Sequence, residues 1–141
     1  MNQVYVYPHR GRFQDIDAAG ILFFARNFDY FHDAYLAFLE HLEMPLHEHL
    51  DDAEFVIPLV HAEADFAKPI RFGTRCDVHI EVARLGTSSF TLAYTLRGDG
   101  DRVLTTGQTV HCCVERATFA SRALPERLSA ALKPYQAATS P

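Results

Sequence analysis

Phe24-Ala25-Arg26-Asn27-Phe28-Asp29-Tyr30-Phe31-His32-Asp33-Ala34-Tyr35-Leu36-Ala37-Phe38-Leu39-Glu40-His41-Leu42 is the stretch whose reading decides the fold. Phe24, Phe28, Phe31, Tyr35, Phe38 and Leu42 are spaced 4, 3, 4, 3 and 4 positions apart, a continuous stripe along one helix. Leu36 and Leu39 widen that stripe, and Ala34 and Ala37 add small surfaces, so the helix needs cover around much of its circumference. Asp29 and Asp33 fall in the early turns, where the helix dipole favours negative charge. His41 lies near the far end, and Pro45 stops the helix. From Phe24 to Leu42 such a helix is roughly 28 Å long at about 1.5 Å per residue.

Working outward, the period changes from helical to extended on both sides. Upstream, Val4 and Val6 alternate with Tyr5 and Tyr7, an opening strand running towards Phe13. Downstream, beyond a polar connection from His47 to Glu54, Val60, Ala62, Ala64 and Phe66 alternate with His61, Glu63 and Asp65, and Lys68-Pro69 closes that strand. Cys76, Val78, Ile80 and Val82 form a second apolar face, and Phe90, Leu92, Tyr94 and Leu96 a third. Gly98-Asp99-Gly100-Asp101 reads as a hairpin turn. A last strand from Val103 to Arg116 carries Val110, Cys112 and Val114 on one face, and Pro125 to Tyr135 reads as a short terminal helix. The order β-α-β-β-β-β-α, with tight connections among the later strands, implies an α+β fold in which an antiparallel sheet curls around one thick helix. No repeat or linker is visible, so residues 1–141 read as a single domain.

Composition bounds what such a domain does. Of the 141 residues 48% are hydrophobic and 22% charged, which suits a packed core and excludes a disordered chain. The net charge of -5 argues against a nucleic-acid surface and means that an anionic ligand needs a local basic patch. Cys76, Cys112 and Cys113 are odd in number, and the neighbours Cys112 and Cys113 point to opposite faces of a strand, so free thiols and a cytoplasmic address are expected. Neither an export signal nor an apolar run approaching the roughly 20 residues of a membrane span is present.

The chemistry points to the loop before the helix, Asp15-Ile16-Asp17-Ala18-Ala19-Gly20. A helix N-terminus offers free N–H groups and the positive end of a dipole, able to hold a developing oxyanion. A carboxylate beside it can act on an activated acyl group as base or nucleophile, and small residues let a ligand approach the backbone. The plain alternative is that Asp15 or Asp17 only caps the helix.

Asp15-Ile16-Asp17-Ala18-Ala19-Gly20-Ile21-Leu22-Phe23-Phe24, followed by Asp29-Tyr30-Phe31, resembles the signature of the 4-hydroxybenzoyl-CoA thioesterase family. The resemblance runs from about Tyr7 to Leu128 and implies the hot-dog fold, acyl-CoA as substrate, no cofactor beyond the coenzyme A of the substrate itself, and homodimers or homotetramers with sites shared between subunits. It also implies Asp17 as catalytic carboxylate, the backbone N–H of Phe24 as oxyanion donor, and Gly20 as the residue that keeps the loop tight. Ile57-Pro58-Leu59-Val60-His61-Ala62-Glu63-Ala64-Asp65-Phe66 with Pro69 and Gly73, and His32-Asp33-Ala34-Tyr35 on the helix, resemble the 1,4-dihydroxy-2-naphthoyl-CoA hydrolases within that family. An aromatic acyl group is therefore expected, read by His32 and His61.

Departures from the pattern matter too. Arg26 stands where many relatives have Asn. His32 stands where many are acidic, at a position that faces the substrate ring in the hydroxybenzoyl enzymes. Arg84-Leu85-Gly86-Thr87-Ser88-Ser89 matches a region that contacts the coenzyme A nucleotide in relatives but lacks their paired basic residues. Phosphate binding then falls to Arg84, or to Lys68 and Arg71, with Thr87 and Ser88 hydroxyls assisting. His47-Glu48-His49 and the His61/Glu63 pair lack a metal-ligand spacing, so no metal is expected; His79 and His111 read as structural. Two other activities share the family's outline: a dehydratase acting on hydroxyacyl thioesters, and a short-chain acyl-CoA or acyl-carrier-protein thioesterase. A non-catalytic acyl-CoA binding protein is the alternative outside enzymology.

Overall fold

The computed structural model describes residues 2–45 and 54–137. Along the chain run β1 (Tyr5–Tyr7), α1 (Arg26–His41), β2 (Phe55–Val56), β3 (Leu59–Phe66), β4 (Asp77–Leu85), β5 (Ser89–Arg97), β6 (Val103–Cys112), β7 (Val114–Glu115) and α2 (Glu126–Leu132). Five strands pair antiparallel in the order β1-β4-β5-β6-β3, and β2 pairs with β7 in a separate ribbon. One face of the five-stranded sheet receives α1, which is the hot-dog arrangement expected above. The opening strand is shorter than expected because Pro8, which has no N–H to give a ladder, follows Tyr7 at once.

The helix begins at Arg26, two residues after the apolar stripe starts. Phe24 fits the period yet is 59% exposed, since its backbone belongs to the turn that leads into the helix. From Phe28 onward the stripe does what its spacing requires, and Phe31, Tyr35, Phe38 and Leu39 are buried. They meet Val78, Ile80 and Val82 of β4 and Phe90, Leu92, Tyr94 and Leu96 of β5, all buried. Phe31 stacks on Tyr94 with ring centroids 4.4 Å apart and planes at 10°.

Two strands differ from their apolar pattern. On β6 the residues facing α1 are Thr105, Gly107, Thr109 and His111, paired with Leu96, Tyr94, Leu92 and Phe90 of β5. Val110 and Cys112 lie on the other face, half-buried, and Val114 leaves for the second ribbon. The interior tolerates these polar residues because they bond to one another and to α1, as described below. β3 is an edge strand with a register shift between Leu59 and His61, and only Ala64 along it is half-buried. Its alternation is real, but α1 leans towards β1 and β4 and leaves β3 uncovered.

Gly107 sits under the helix. A Cβ there would stand 2.5 Å from the Phe31 ring and 2.6 Å from the carbonyl oxygen of Glu63 on β3, and the latter is backbone that cannot swing away. Gly107→Ala is expected to lower stability by roughly 1–3 kcal/mol, the usual cost of overpacking. Denaturant unfolding measures it, and a wild-type midpoint would show that the helix does not press on this strand.

Candidate active site

The acidic loop is a miniature hairpin. Ile16 bridges Leu22, the Gly20 N–H donates to the Asp17 carbonyl at 3.0 Å, and the Asp17 N–H donates to the Ile21 carbonyl at 2.9 Å. Gly20 has φ of +81°, the left-handed conformation that closes such a turn and that glycine adopts without strain. The half-buried Asp17 carboxylate accepts the Ala19 N–H through Oδ1 at 2.8 Å and so caps its own turn. Neither acid caps α1, whose first residue is preceded by Ala25 with no side-chain hydrogen bond.

Four acids stand near the helix entrance; two have guanidinium partners and a third has an imidazole beside it. Asp15 is 4% exposed, takes hydrogen bonds from Arg12 Nε and the Tyr30 hydroxyl at 2.8 Å each, and lies 3.8 Å from Arg26. Burial alone would raise its pKa, but those two donors and the nearby guanidinium groups outweigh it and hold the carboxyl below its ordinary range. Asp29 pairs with Arg26 at 2.8 Å, and Asp33 lies 3.5 Å from His9. Asp17 has no cation partner among the described residues, and its Oδ2 is uncommitted.

At the helix mouth, Arg26, Asn27 and Phe28 donate their N–H groups back to Phe23, Phe24 and Ala25. The N–H groups of Phe24 and Ala25 have no acceptor among the described residues. Asn27 holds this entrance in place: its Nδ2 donates to the Phe24 carbonyl at 3.1 Å, and its Oδ1 accepts the Thr105 hydroxyl at 3.0 Å. Phe24, Asn27 and Thr105 line a cleft of about 280 Å³ whose other wall is Phe66, Lys68 and Pro69. Asp17 does not line that cleft; it stands on the hairpin that feeds its Ile21–Leu22 wall.

The remaining expected residues fall in three places. His32 is exposed on α1 and borders a cleft of about 230 Å³ with Phe31, Tyr35, Tyr94, Thr109 and His111. His61 pairs in register with Val110, so it points from the opposite face of the sheet and bonds Glu63 at 3.2 Å. The structure therefore does not bring His61 to His32 within one chain; His61 alternates with Ala62 and Ala64, which face α1. Arg84, Thr87 and Ser88 occupy the β4–β5 hairpin, at the opposite end of the sheet from Phe66 and Thr105. From Ser89 at the hairpin to Leu96, which pairs with Thr105, β5 advances seven residues, about 23 Å.

One residue that sequence reasoning passed over, and one that it read as structural, complete the picture. Asn27 gives no local signal, since an Asn on a helix reads as surface; its meaning comes from Thr105. His111 is buried between Tyr35 (4.5 Å) and Phe90 (4.9 Å), and its Nε2 meets Thr109 Oγ1 at 2.8 Å, which in turn meets the Tyr94 hydroxyl at 2.8 Å. Burial first, then repulsion by His32, pushes the His111 pKa down to about 4. A larger apolar cavity of about 380 Å³ lies between Tyr35, Leu39, Phe55, Ile57 and Leu128, at the far end of α1 from Asp17. Among the described residues no three His, Cys, Asp or Glu side chains gather closely enough for a metal, while His47-Glu48-His49 lie outside the described residues. Likewise, none of the described helices is long and apolar enough to cross a membrane.

A helix seated on an antiparallel sheet, with an acidic hairpin at its mouth, defines a hot-dog protein built to handle an acyl oxygen. The model of the thioesterase-like superfamily matches residues 12–132, and the chain belongs to that superfamily. It is 36% identical over 125 residues to the 1,4-dihydroxy-2-naphthoyl-CoA hydrolase of Synechococcus elongatus, covering 88% of this chain and 91% of that one. The namesake from Thermosynechococcus vestitus is 34% identical, covering 90% and 87%. Among solved structures, a 1,4-dihydroxy-2-naphthoyl-CoA thioesterase from Synechocystis superposes with a TM-score of 0.88 at 25% identity, over 93% of this chain and 96% of that one. A gentisyl-coenzyme A thioesterase gives 0.80 at 29%, over 91% and 99%.

The His111 shift has a signed consequence. Unfolded, this imidazole takes a proton near pH 6.5; folded, it refuses one until about pH 4. Its contribution to stability is therefore complete above pH 6.5 and is lost as pH falls from 6.5 to 4. In His111→Gln the decline of the denaturant midpoint across that window should be shallower than in the wild type. Equal slopes would mean that His111 is not held neutral in the fold.

Proposed function

We propose that the protein is an acyl-CoA thioesterase that hydrolyses an aromatic acyl-CoA, of the 1,4-dihydroxy-2-naphthoyl type, to the free acid and coenzyme A. The observation that carries this reading is Asp17, the one acid of the four near the helix entrance with neither a guanidinium nor an imidazole beside it among the described residues, on a hairpin leading to two N–H groups without acceptors. The names of its relatives support the same chemistry. The thioester carbonyl oxygen accepts the Phe24 N–H, which stabilises the charge that grows on it as the carbonyl carbon is attacked. Asp17 either attacks that carbon itself or takes a proton from the water that does. The C–S bond breaks, the sulfur leaves with the electron pair and gains a proton, and water supplies the oxygen of the acid. Gly20 keeps the hairpin short enough for this; coenzyme A enters and leaves as part of the substrate, and no other cofactor takes part.

An aromatic acyl group is favoured by the cleft beside His32. Phe31, Tyr35 and Tyr94 give it flat apolar walls, and His32 and His111 give it polar groups. The resemblance of the loop motif supports membership of the 4-hydroxybenzoyl-CoA thioesterase family, nearest its naphthoyl-CoA branch, and the free thiols support a cytoplasmic address. The working unit is a homodimer or homotetramer. Leu59, Val60 and Phe66 on the β3 edge are 50, 57 and 51% exposed, and a second copy of the edge would cover them. Such a partner would also supply His61, Thr87 and Ser88 to a site from which they stand apart in one chain.

Asp17→Asn should lower kcat at least ~100-fold on an aromatic acyl-CoA. A panel of purified thioesters reads both parts of the reading at once. Full activity in the variant removes Asp17 from the chemistry, preference for straight chains rejects the aromatic pocket, and tight binding with the thioester left intact would make this a binding protein. Sedimentation at micromolar concentration should give a dimer or tetramer, and a monomer alone would contradict the shared site.

A further inference from the structure

Lys68 and Pro69 belong to two clefts at once. On one side they face Phe24 and Asn27; on the other they border a polar opening of about 340 Å³ with Arg71, Thr74, Asp99 and Arg102. Three cations, Lys68, Arg71 and Arg102, thus converge on one cleft of a chain whose net charge is -5. Among the described residues none of their side chains has an ion-pair or hydrogen-bond partner. The one acid in the cleft, Asp99, lies 3.5 Å from Arg75, which also holds Asp77 at 2.8 Å. Its charge is therefore answered from outside the cleft.

The backbone around these cations is fixed. Residues 71–74 form a tight turn in which the Thr74 N–H donates to the Arg71 carbonyl and the Arg71 N–H to Thr74 Oγ1, both at 3.0 Å, with Gly73 at φ of +80°. The Thr74 hydroxyl hydrogen is left to donate. The floor is Gly98, where a Cβ would stand 3.2 Å from both the Arg75 carbonyl and Leu104. Uncommitted cations on a fixed frame, with a hydroxyl donor among them, are the donor set of a phosphate site.

We propose that this cleft is the subsite for the phosphates of coenzyme A. The inference rests on the acyl-CoA reading and deepens it. Order along the surface matches order along the ligand: the thioester at the Phe24 N–H, the uncharged pantetheine arm past Phe66 and Pro69, then the diphosphate and 3′-phosphate among Lys68, Arg71 and Arg102. The β4–β5 arm offers one cation, Arg84, whose partner Thr91 lies five residues along β5 from the Leu96–Thr105 pair of the Phe24 cleft, about 17 Å. Thr87 and Ser88 there have carbonyls taken by Leu124 and Cys113. Within one chain the Lys68 cleft adjoins the thioester position through the shared Lys68 and Pro69.

Arg71→Ala, Arg102→Ala and Arg84→Ala are to be compared on two substrates with the same acyl group, one the coenzyme A thioester and one the N-acetylcysteamine thioester, which carries no phosphate. Arg71 and Arg102 are exposed, so the fold should survive their removal. For the coenzyme A substrate each of the first two variants should raise KM about tenfold, as loss of one charge-assisted hydrogen bond does. The kcat and both constants for the N-acetylcysteamine thioester should stay at wild-type values. Adenosine 3′,5′-bisphosphate, titrated calorimetrically, should lose affinity in the same two variants and not in Arg84→Ala. Because that titration needs no turnover, it upholds the phosphate site even if no thioester is hydrolysed, which would sink only the hydrolase reading. Wild-type KM and bisphosphate affinity in both variants, loss in Arg84→Ala alone, or an equal rise in KM on the phosphate-free substrate would each overturn the proposal.

Discussion

Phe31 lies face to face with Tyr94 and above Gly107, and that contact fixes where α1 rests on the sheet. A helix held at one such point has no freedom to slide by a residue without driving the ring into backbone. Its other neighbours follow from that position. One turn towards the N-terminus, Asn27 meets Thr105 and fixes the Phe24 carbonyl, so the peptide at the helix mouth inherits its orientation from the core. One residue further along, His32 is carried to the rim of the cleft that Phe31 and Tyr94 wall. The site is thus located by packing before any of its own polar groups act.

The polar interior works with that packing. The Asn27–Thr105 pair, the Tyr94–Thr109–His111 chain and the Asp15 cluster each join elements distant in sequence. Among the described residues no buried side-chain nitrogen or oxygen is left without a hydrogen-bond partner. Such networks specify a register because every alternative leaves a buried group unpaired, at a cost of about 1–3 kcal/mol each. Asp15 shows the principle at the loop: Tyr30 reaches it from the second turn of α1, and the Tyr30 hydroxyl in turn accepts the Arg12 N–H at 3.0 Å. The hairpin bearing Asp17 is therefore anchored to the helix one residue before the hairpin begins.

How much of this could be read beforehand depended on whether one face of an element is apolar. The helix from Phe28, and strands β4 and β5, bury every second or third large side chain, so their periods stood out. Strand β6 was assigned the wrong inner face because Thr105, Thr109 and His111 are satisfied by partners that no local window contains. Phe24 shows the converse, a residue in step with the helical period that lies outside both helix and core. Asp17 and Gly20 were legible because a tight acidic turn is itself a local feature, and the positive φ at Gly20 accords with it. Asn27 and His111 were not, since each acquires its role only across the sheet–helix interface. His61 keeps the face that the alternation with Ala62 and Ala64 predicts, the one turned away from α1.

The pairing of charges around the entrance carries the argument one step beyond geometry. In an acidic chain the cheapest arrangement places each carboxylate against a cation, and Asp15 and Asp29 obey this with Arg12 and Arg26, while Asp33 has the His9 imidazole beside it. A carboxylate shared with a guanidinium is held as an anion with weakened basicity, poorly suited to attack a carbonyl or take a proton. Lys68, Arg71 and Arg102 are close by in the fold, next to the Phe24 cleft, yet no salt bridge joins them to the acids of the loop. Among the described residues, an acid without a cation partner thus stands on the hairpin that leads to the Phe24 cleft, and three cations without acid partners stand in and beside that cleft's Lys68–Pro69 wall. A ligand with an electrophilic carbon at one end and several negative charges at the other resolves both, and an acyl thioester of coenzyme A is such a molecule.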